Sequence, residues 1–417
     1  MNKFAAFAVL ALHRASADVC RDLDSFLNLH GGSYNKGLVC HGLFWTSTEK
    51  KSICFYSTAT KDVCPATWAV SVREAEVFLA APSTSSTTTS VSPSTTGSGM
   101  SSSSAPSTTP STTTVVTRVP STPSWSFLAL GDWGLRSESL TTTIEKINAK
   151  FFATAYPLKG VFLLGDNFYP RGIRQDLSIR DPQFNLFSDL VAAQAPQGLR
   201  FYPVLGNHDW MGDTRAQISF STFDTRWVFP ALYYFQRFAL DHVSVCVWFI
   251  DTETFASDAG QQGWFSESLA SERSTCAWTI VNGHYPVFTG GEYTGCSILA
   301  RYRQSVLPII RANNIDLYFS GHEHQSQILK EDDFNTVYVV AGAVSDMRGV
   351  IINGNENLKW IDSRFAAFAE VQVEENESRV IFHKSSGGMD AEPLCQSRLS
   401  KTGLSRSVVL TLSGCEV

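Results

Sequence analysis

Five times in this chain a short apolar run leads through glycine to an oxygen or imidazole donor. Phe127–Leu130 precedes Gly131-Asp132-Trp133-Gly134, and Val161–Leu164 precedes Gly165-Asp166-Asn167-Phe168-Tyr169. Phe201–Leu205 precedes Gly206-Asn207-His208-Asp209, Thr279–Val281 precedes Gly283-His284-Tyr285-Pro286, and Leu317–Phe319 precedes Gly321-His322-Glu323-His324. Short apolar runs bounded by glycine read as strands buried on both faces. A donor just past the glycine then sits at the strand's carboxyl end, the edge where open α/β sheets build their sites. The series therefore constrains the chain to an α/β fold with one shared polar edge.

The donors form a set. Asp166 is central in the series, and its carboxylate can bridge two metals held close together. Asp132 and Tyr169 add hard oxygen donors to one side. His322 and His324 are two apart, so an extended segment leans them the same way, while a turn after Gly321 splits them between metals. Asn207 offers a carbonyl oxygen and His284 an imidazole. Mixed oxygen and nitrogen donors suit Fe, Zn or Mn. Tyr169 discriminates further, because a phenolate prefers Fe(III) and colours it by charge transfer. Singly, Asp132 reads as a turn residue and His284 as a loop residue; it is the joint pattern that points to a site. Trp133, Phe168 and Trp210 are expected to wall the pocket. Asp209 and Asp251 read as supporting or turn-forming groups rather than ligands. His242 and His383 match no motif and read as structural.

On these motifs, residues 125–385 resemble the purple acid phosphatases of the small, mammalian tartrate-resistant type, within the calcineurin-like metallophosphoesterases. The resemblance implies a four-layer sandwich of two mixed β-sheets flanked by helices. It implies that Asp132, Asp166, Tyr169 and His324 hold Fe(III), that Asp166, Asn207, His284 and His322 hold a divalent Fe, Zn or Mn, and that His208 lies beside the leaving group. The implied activity is hydrolysis of phosphate monoesters by a metal-bridged hydroxide at a binuclear Fe(III)–M(II) centre. Two alternatives stand beside it: a phosphodiesterase on the same scaffold, and a secreted recognition or adhesion protein whose enzyme domain supports an N-terminal module. The family carries a long loop over the site that proteolysis removes. Here the corresponding stretch, Thr252–Gly263, is short, so the uncut enzyme is expected to be fully active. The cysteine of that loop, which pairs with the equivalent of Cys296, has no counterpart. Cys296 is therefore expected to pair elsewhere, with Cys276, or to stay free.

The rest of the chain sets the compartment. Lys3, the apolar Phe4–Leu12 and Ala15-Ser16-Ala17 read as a signal peptide over residues 1–17. Its nine apolar residues are too few to span a bilayer, and no transmembrane segment is expected elsewhere. The expected destination is secreted or extracellular, with lysosome or vacuole as variants. Nine cysteines in such a chain read mainly as disulfides. Cys20, Cys40, Cys54 and Cys64 staple a small module at 18–81. Of the remaining five, Cys246 lies in an apolar strand and is expected to be the free thiol. In the module, Phe44, Trp45, Phe55, Tyr56 and Trp68 read first as core, and second as a surface for a glycan or other surface ligand. Its His30 and His41 read as ordinary polar residues. Residues 82–124 are almost wholly Ser, Thr and Pro and form a mucin-like linker, reaching on the order of 130 Å at about 3.1 Å per residue. Residues 125–417 are the metallophosphoesterase domain, with a sequon at Asn376-Glu377-Ser378 and a tail from Glu392 that looks additional. The net charge of −6 and the absence of basic runs argue against nucleic acid as a partner.

Overall fold

The computed structural model describes residues 40–45, 53–57, 125–240, 243–348, 355–386, 393–402 and 407–415. The expected leader, the linker and His242 lie outside the described residues. Of the module only a hairpin lies within them, β1 (Cys40–Trp45) paired antiparallel with β2 (Ile53–Ser57). The chain divides into two compact units, one containing this hairpin and the other the residues from Pro123 to Val417.

The larger unit is built on two sheets. In chain order its strands are β3 (Trp125–Leu130), β4 (Leu158–Leu164), β5 (Phe201–Val204), β6 (Tyr234–Leu240), β7 (Val243–Phe249), β8 (Trp278–Asn282), β9 (Leu317–Ser320), β10 (Ser326–Lys330), β11 (Val337–Ala341), β12 (Leu358–Asp362), β13 (Ala367–Val373), β14 (Glu377–Lys384), β15 (Cys395–Thr402) and β16 (Ser407–Ser413). One sheet has the order β16-β15-β14-β13-β3-β4-β5 and the other β12-β10-β11-β9-β8-β7-β6. Within them β3, β4 and β5 run parallel, as do β7, β8, β9 and β11. Each of the five apolar runs has thus become one of these parallel strands: β3, β4, β5, β8 and β9.

The inner faces meet in one apolar core. Phe127 of β3 stacks on Phe162 of β4 at 5.1 Å, and Phe162 packs on Phe249 of β7 at 5.7 Å. Helices cover the outer faces. Helix Glu138–Ile147 opens with the Ser137 hydroxyl accepting from Leu140 N at 3.0 Å, an N-cap. It buries Leu140, Ile144 and Ile147 on one stripe. Helix Ser297–Asn313 buries Leu299, Tyr302, Val306 and Ile310, and ends at Asn314, which is left-handed at φ 46°. The layers are therefore helix, sheet, sheet, helix.

Three expectations are corrected here. Cys246 is not a free thiol. It is disulfide-bonded to Cys276, because β7 and β8 lie side by side and bring the two Cα atoms to 5.8 Å. Cys296 does pair elsewhere, as expected, since it too is in a disulfide, but its partner is not Cys276. Finally, Thr252–Gly263 is not a loop. Thr252–Phe255 is helical, and a second helix, Ala259–Glu272, starts at an Asp258 cap whose Oδ1 accepts from Gln261 N at 3.0 Å. Buried Gln261 then holds the Asp251 backbone at both ends, accepting from its N at 2.9 Å and donating to its O at 3.2 Å.

The C-terminal tail is a hairpin of β15 and β16, closed by Cys395–Cys415 and continuing the first sheet. From β15, Lys401 reaches the second sheet. Its Nζ lies 2.8 Å from Asp316 Oδ2 and 3.9 Å from the Trp278 ring centroid, and donates to Ala277 O. His383 is structural as expected, its Nε2 2.8 Å from buried Glu370 Oε2 and its ring stacked on Phe368.

Candidate metal centre

The turns after β3, β4, β5, β8 and β9 converge at the carboxyl ends of the parallel strands. Their backbone is unusual. Asp132, Asp166 and His322 have φ of 55°, 52° and 68°, a region that non-glycine residues enter at a cost met by surrounding structure. Close approach explains two glycines. A Cβ on Gly206 would overlap Asp166 Oδ1, and one on Gly321 would overlap Asp132 Oδ2.

Two groups of four donors result. In one, Tyr169 Oη lies 2.8 Å from Asp166 Oδ2, 3.1 Å from Asp132 Oδ1 and 3.2 Å from His324 Nε2, with His324 Nε2 3.4 Å from Asp132 Oδ1. In the other, Asn207 Oδ1 lies 3.0 Å from His284 Nε2 and 3.0 Å from His322 Nδ1, and His284 Nε2 lies 3.5 Å from Asp166 Oδ1. Asp166 gives one oxygen to each group. All seven sequence-predicted donors are thus brought together. Asp132, Asp166, His284 and His324 are almost fully buried.

The tautomers show what this packing needs. His284 Nδ1 donates to Leu164 O at 2.8 Å, so its Nε2 carries a lone pair, which faces the Asn207 and Asp166 oxygens. His324 Nδ1 meets Asp346 Oδ2 at 3.1 Å, which turns its Nε2 toward Asp132. Against burial and the Arg348 charge, which lower it, the two carboxylates raise the ring to about 9, so Nε2 carries a proton there unless a metal takes its place. A ring nitrogen facing an oxygen at these distances is satisfied by a proton or by a metal ion between the two. At a metal–ligand distance of about 2.0–2.2 Å, neighbouring ligands around one ion stand about 3 Å apart, the spacing seen. A buried group of Asp132, Asp166 and His284 able to hold a metal is present, its donor atoms all within 4.8 Å of one another. Burial and then the Asp166 and Asp132 charges push the Tyr169 phenol well above its ordinary value, so a phenolate there requires a cation. Burial would raise Asp166, but neighbouring His284 and His208 and the Tyr169 hydroxyl hold it below the ordinary carboxylate range.

His208 stands at the edge of the groups. Its Nδ1 donates to Pro170 O at 2.6 Å, leaving Nε2 3.9 Å from Asp166 Oδ2. Asp209 is no donor to the groups. It is fully buried and accepts from Gly206 N at 2.8 Å, Asn167 N at 3.0 Å, Phe168 N at 3.2 Å and Gln217 Nε2 at 2.9 Å, tying the Asp166 turn to the Asn207 turn. Trp210 is half-buried and donates to Asp251 Oδ1 at 2.9 Å. Trp133 and Phe168 do not wall a pocket. Both are fully buried and pack on each other at 5.8 Å in an aromatic core with Phe187 and Trp227, because their side chains point from the turns back under the sheet edge.

Sequence reasoning missed Asp346, Tyr293 and Arg348. The Tyr293 ring stacks on His322 at 4.5 Å, and Arg348 Nη1 donates to the Tyr293 hydroxyl at 2.8 Å. Asp346 had only a weak signal, since the apolar run Val337–Ala341 and Gly342 precede it, but at a distance of four residues where the motif acids follow their glycine directly.

A two-sheet sandwich with this donor set defines a metallophosphoesterase, and residues 126–326 match the calcineurin-like phosphoesterase family. The tartrate-resistant acid phosphatase type 5 of Sus scrofa is 30% identical over 301 residues, covering 65% of this chain and 86% of that protein. Purple acid phosphatase 3 of Arabidopsis thaliana is 29% identical over 297 residues, covering 63% and 75%. Among solved structures, GAP50, the anchor in the inner membrane complex of Plasmodium, superposes with a TM-score of 0.55 at 24% identity, covering 63% of this chain and 85% of that one, a likeness of fold. The chain belongs to the purple acid phosphatases, the family of the tartrate-resistant enzymes, and is an acid phosphatase with a metal site.

Proposed function

We propose that the protein is a secreted phosphatase acting on phosphate monoesters at a binuclear Fe(III)–M(II) centre. In this reading Asp132, Asp166, Tyr169 and His324 hold Fe(III). Asp166, Asn207, His284 and His322 hold a divalent Fe, Zn or Mn. The observation that carries it is the sharing of Asp166, one oxygen in each of two four-donor groups spaced as ligands are. Bound there, the pair supplies Lewis acidity to phosphate oxygens and activates a water at low pH. The chain's own groups do the rest. Leu164 O and Asp346 fix the tautomers of His284 and His324. His208, held through Nδ1 by Pro170 O, points Nε2 inward, where in its doubly protonated form it would give the Nε2 proton to the departing alkoxide and be left neutral; such a donor contributes about 10²–10⁴-fold.

Secretion is supported by the leader-like N-terminus and by the disulfides of the described residues, which suit an oxidising compartment. Among those residues no helix is long and apolar enough to cross a membrane. The module at 18–81, with a glycan or other surface ligand, and the mucin-like linker at 82–124 complete the proposed organisation. The recognition reading rests on the N-terminal module at 18–81, most of which lies outside the described residues; the complete donor set favours the enzyme.

The test is metal analysis with a visible spectrum. The purified protein is expected to be coloured, and Tyr169→Phe to bleach it while part of the activity survives. A colourless protein fully loaded with iron overturns the assignment of Tyr169.

A further inference from the structure

We infer that Arg348 is the residue that reads the substrate as a phosphate monoester, engaging the non-ester oxygen that a diester lacks. The inference rests on the phosphatase reading above and deepens it.

Arg348 follows β11 and is tethered to the donor groups on both sides. Its backbone N donates to His324 O at 3.4 Å. Its Nη1 donates at 2.8 Å to the hydroxyl of Tyr293, whose ring lies on His322 at 4.5 Å. Its Nε is 4.0 Å from Asp346 Oδ2, the oxygen that holds His324 Nδ1 at 3.1 Å. The guanidinium is thus strung between the supports of His322 and His324, and its charge acts on Tyr169, His322 and His324. Yet the side chain keeps 41% of its surface exposed, and the guanidinium makes no other hydrogen bond to the described residues. A charged fork with donors to spare, fixed beside a buried metal site and open to solvent, is the arrangement that binds phosphate oxygens in pairs. A monoester has three non-ester oxygens and a diester two. With two engaged at the donor groups, only the monoester keeps one for the guanidinium.

A purely structural role, keeping Asp346 in place, makes a different forecast. It would loosen His324 and harm every substrate alike. The experiment uses the full chain, metal-loaded, as wild type, Arg348→Lys and Arg348→Ala. It measures binding of inorganic phosphate by calorimetry, and kcat and KM on p-nitrophenyl phosphate and bis(p-nitrophenyl) phosphate, with metal content and visible band as controls. In Arg348→Ala, phosphate binding and monoester KM are expected to worsen about 10–100-fold, as for a lost charge-assisted pair. Diester kcat/KM is expected to stay within roughly threefold, which would mark the loss as one of binding to the extra oxygen. Arg348→Lys should recover part of the phosphate affinity, because it restores charge without the fork. Unchanged phosphate affinity, equal losses on both esters or a loss of metal overturns the inference. If the loaded wild type hydrolyses neither ester, the phosphatase reading fails, and the phosphate affinities of the variants still decide the role of Arg348.

Discussion

Lys401→Met should destabilise the phosphatase domain by about 3 kcal/mol. The Lys401 and Asp316 side chains are only 7% and 5% exposed, and their contact crosses from β15 to the second sheet. Removing one partner of a buried pair costs roughly 3–5 kcal/mol, because the other charge is left in a poor solvent. Two features place the estimate at the lower end of that range. Asp316 Oδ2 keeps two further donors, Thr279 N and Thr279 Oγ1, both at 2.8 Å. Methionine also fills the lysine's path, so no large cavity opens. Loss of the cation over Trp278 at 3.9 Å acts the other way, by about 1–2 kcal/mol when desolvated. At about 2–4 °C per kcal/mol for a domain of this size, Tm should fall by about 6–12 °C. The assay is thermal and urea unfolding of the metal-loaded chain, with Asp316→Asn and the double variant completing a cycle. The double variant should regain much of the loss, since no buried charge remains. A Lys401→Met loss under about 1 kcal/mol, or no recovery in the double variant, would refute the reasoning.

Asp346→Asn leaves His324 its shape but weakens the acceptor on its Nδ1; metal affinity should fall about 10–100-fold, read by competition with a chelator, and undiminished affinity would show that Asp346 does not orient the ring. Burial pushes Asp251 up to about 6, against hydrogen bonds from Thr254 and Trp210 that lower it. The folded state therefore holds this proton more tightly than the unfolded chain, a stabilisation present below about pH 4 and lost as pH rises through about 6. Asp251→Asn removes the dependence, so its stability relative to wild type should rise between pH 4 and 7, by at most about 3 kcal/mol; a difference flat across that range would count against the assignment.

The donor set was legible because each donor is announced locally, by an apolar run, a glycine and a polar residue within a few positions. The same locality gave the buried strands and their shared edge, while the sandwich came from the resemblance that these motifs carry. What escaped depends on elements distant in sequence. Cys246 reads as an apolar strand residue until β7 is laid beside β8, and only then is Cys276 its neighbour. Tyr293 and Arg348 lie 55 positions apart and meet over His322 only once the turns after β8 and β11 are in place. Trp133 and Phe168 were placed on the correct turns but on the wrong side, because an alternation of facing cannot be read through a glycine turn. Thr252–Gly263 reads as a loop because it corresponds to the family's loop, yet its helices are fixed by polar means, the Asp258 cap and the Gln261 clamp on Asp251.

The division of labour between the sheets has a consequence of its own. Every oxygen donor, from Asp132, Asp166, Tyr169 and Asn207, comes off the ends of β3, β4 and β5 in the first sheet; every imidazole, from His284, His322 and His324, comes off β8 and β9 in the second. Neither half alone offers a mixed set, so the complete site is assembled only when the halves have met. Metal held there would act as a rivet along the seam, its binding energy spent on holding one sheet to the other. A nascent chain with only its first half made lacks all three imidazoles, so the full donor set marks the completed domain. Chelation should in turn loosen the seam at this edge first, leaving the aromatic core beneath Trp133 and the disulfide-closed tail hairpin as the last parts to yield.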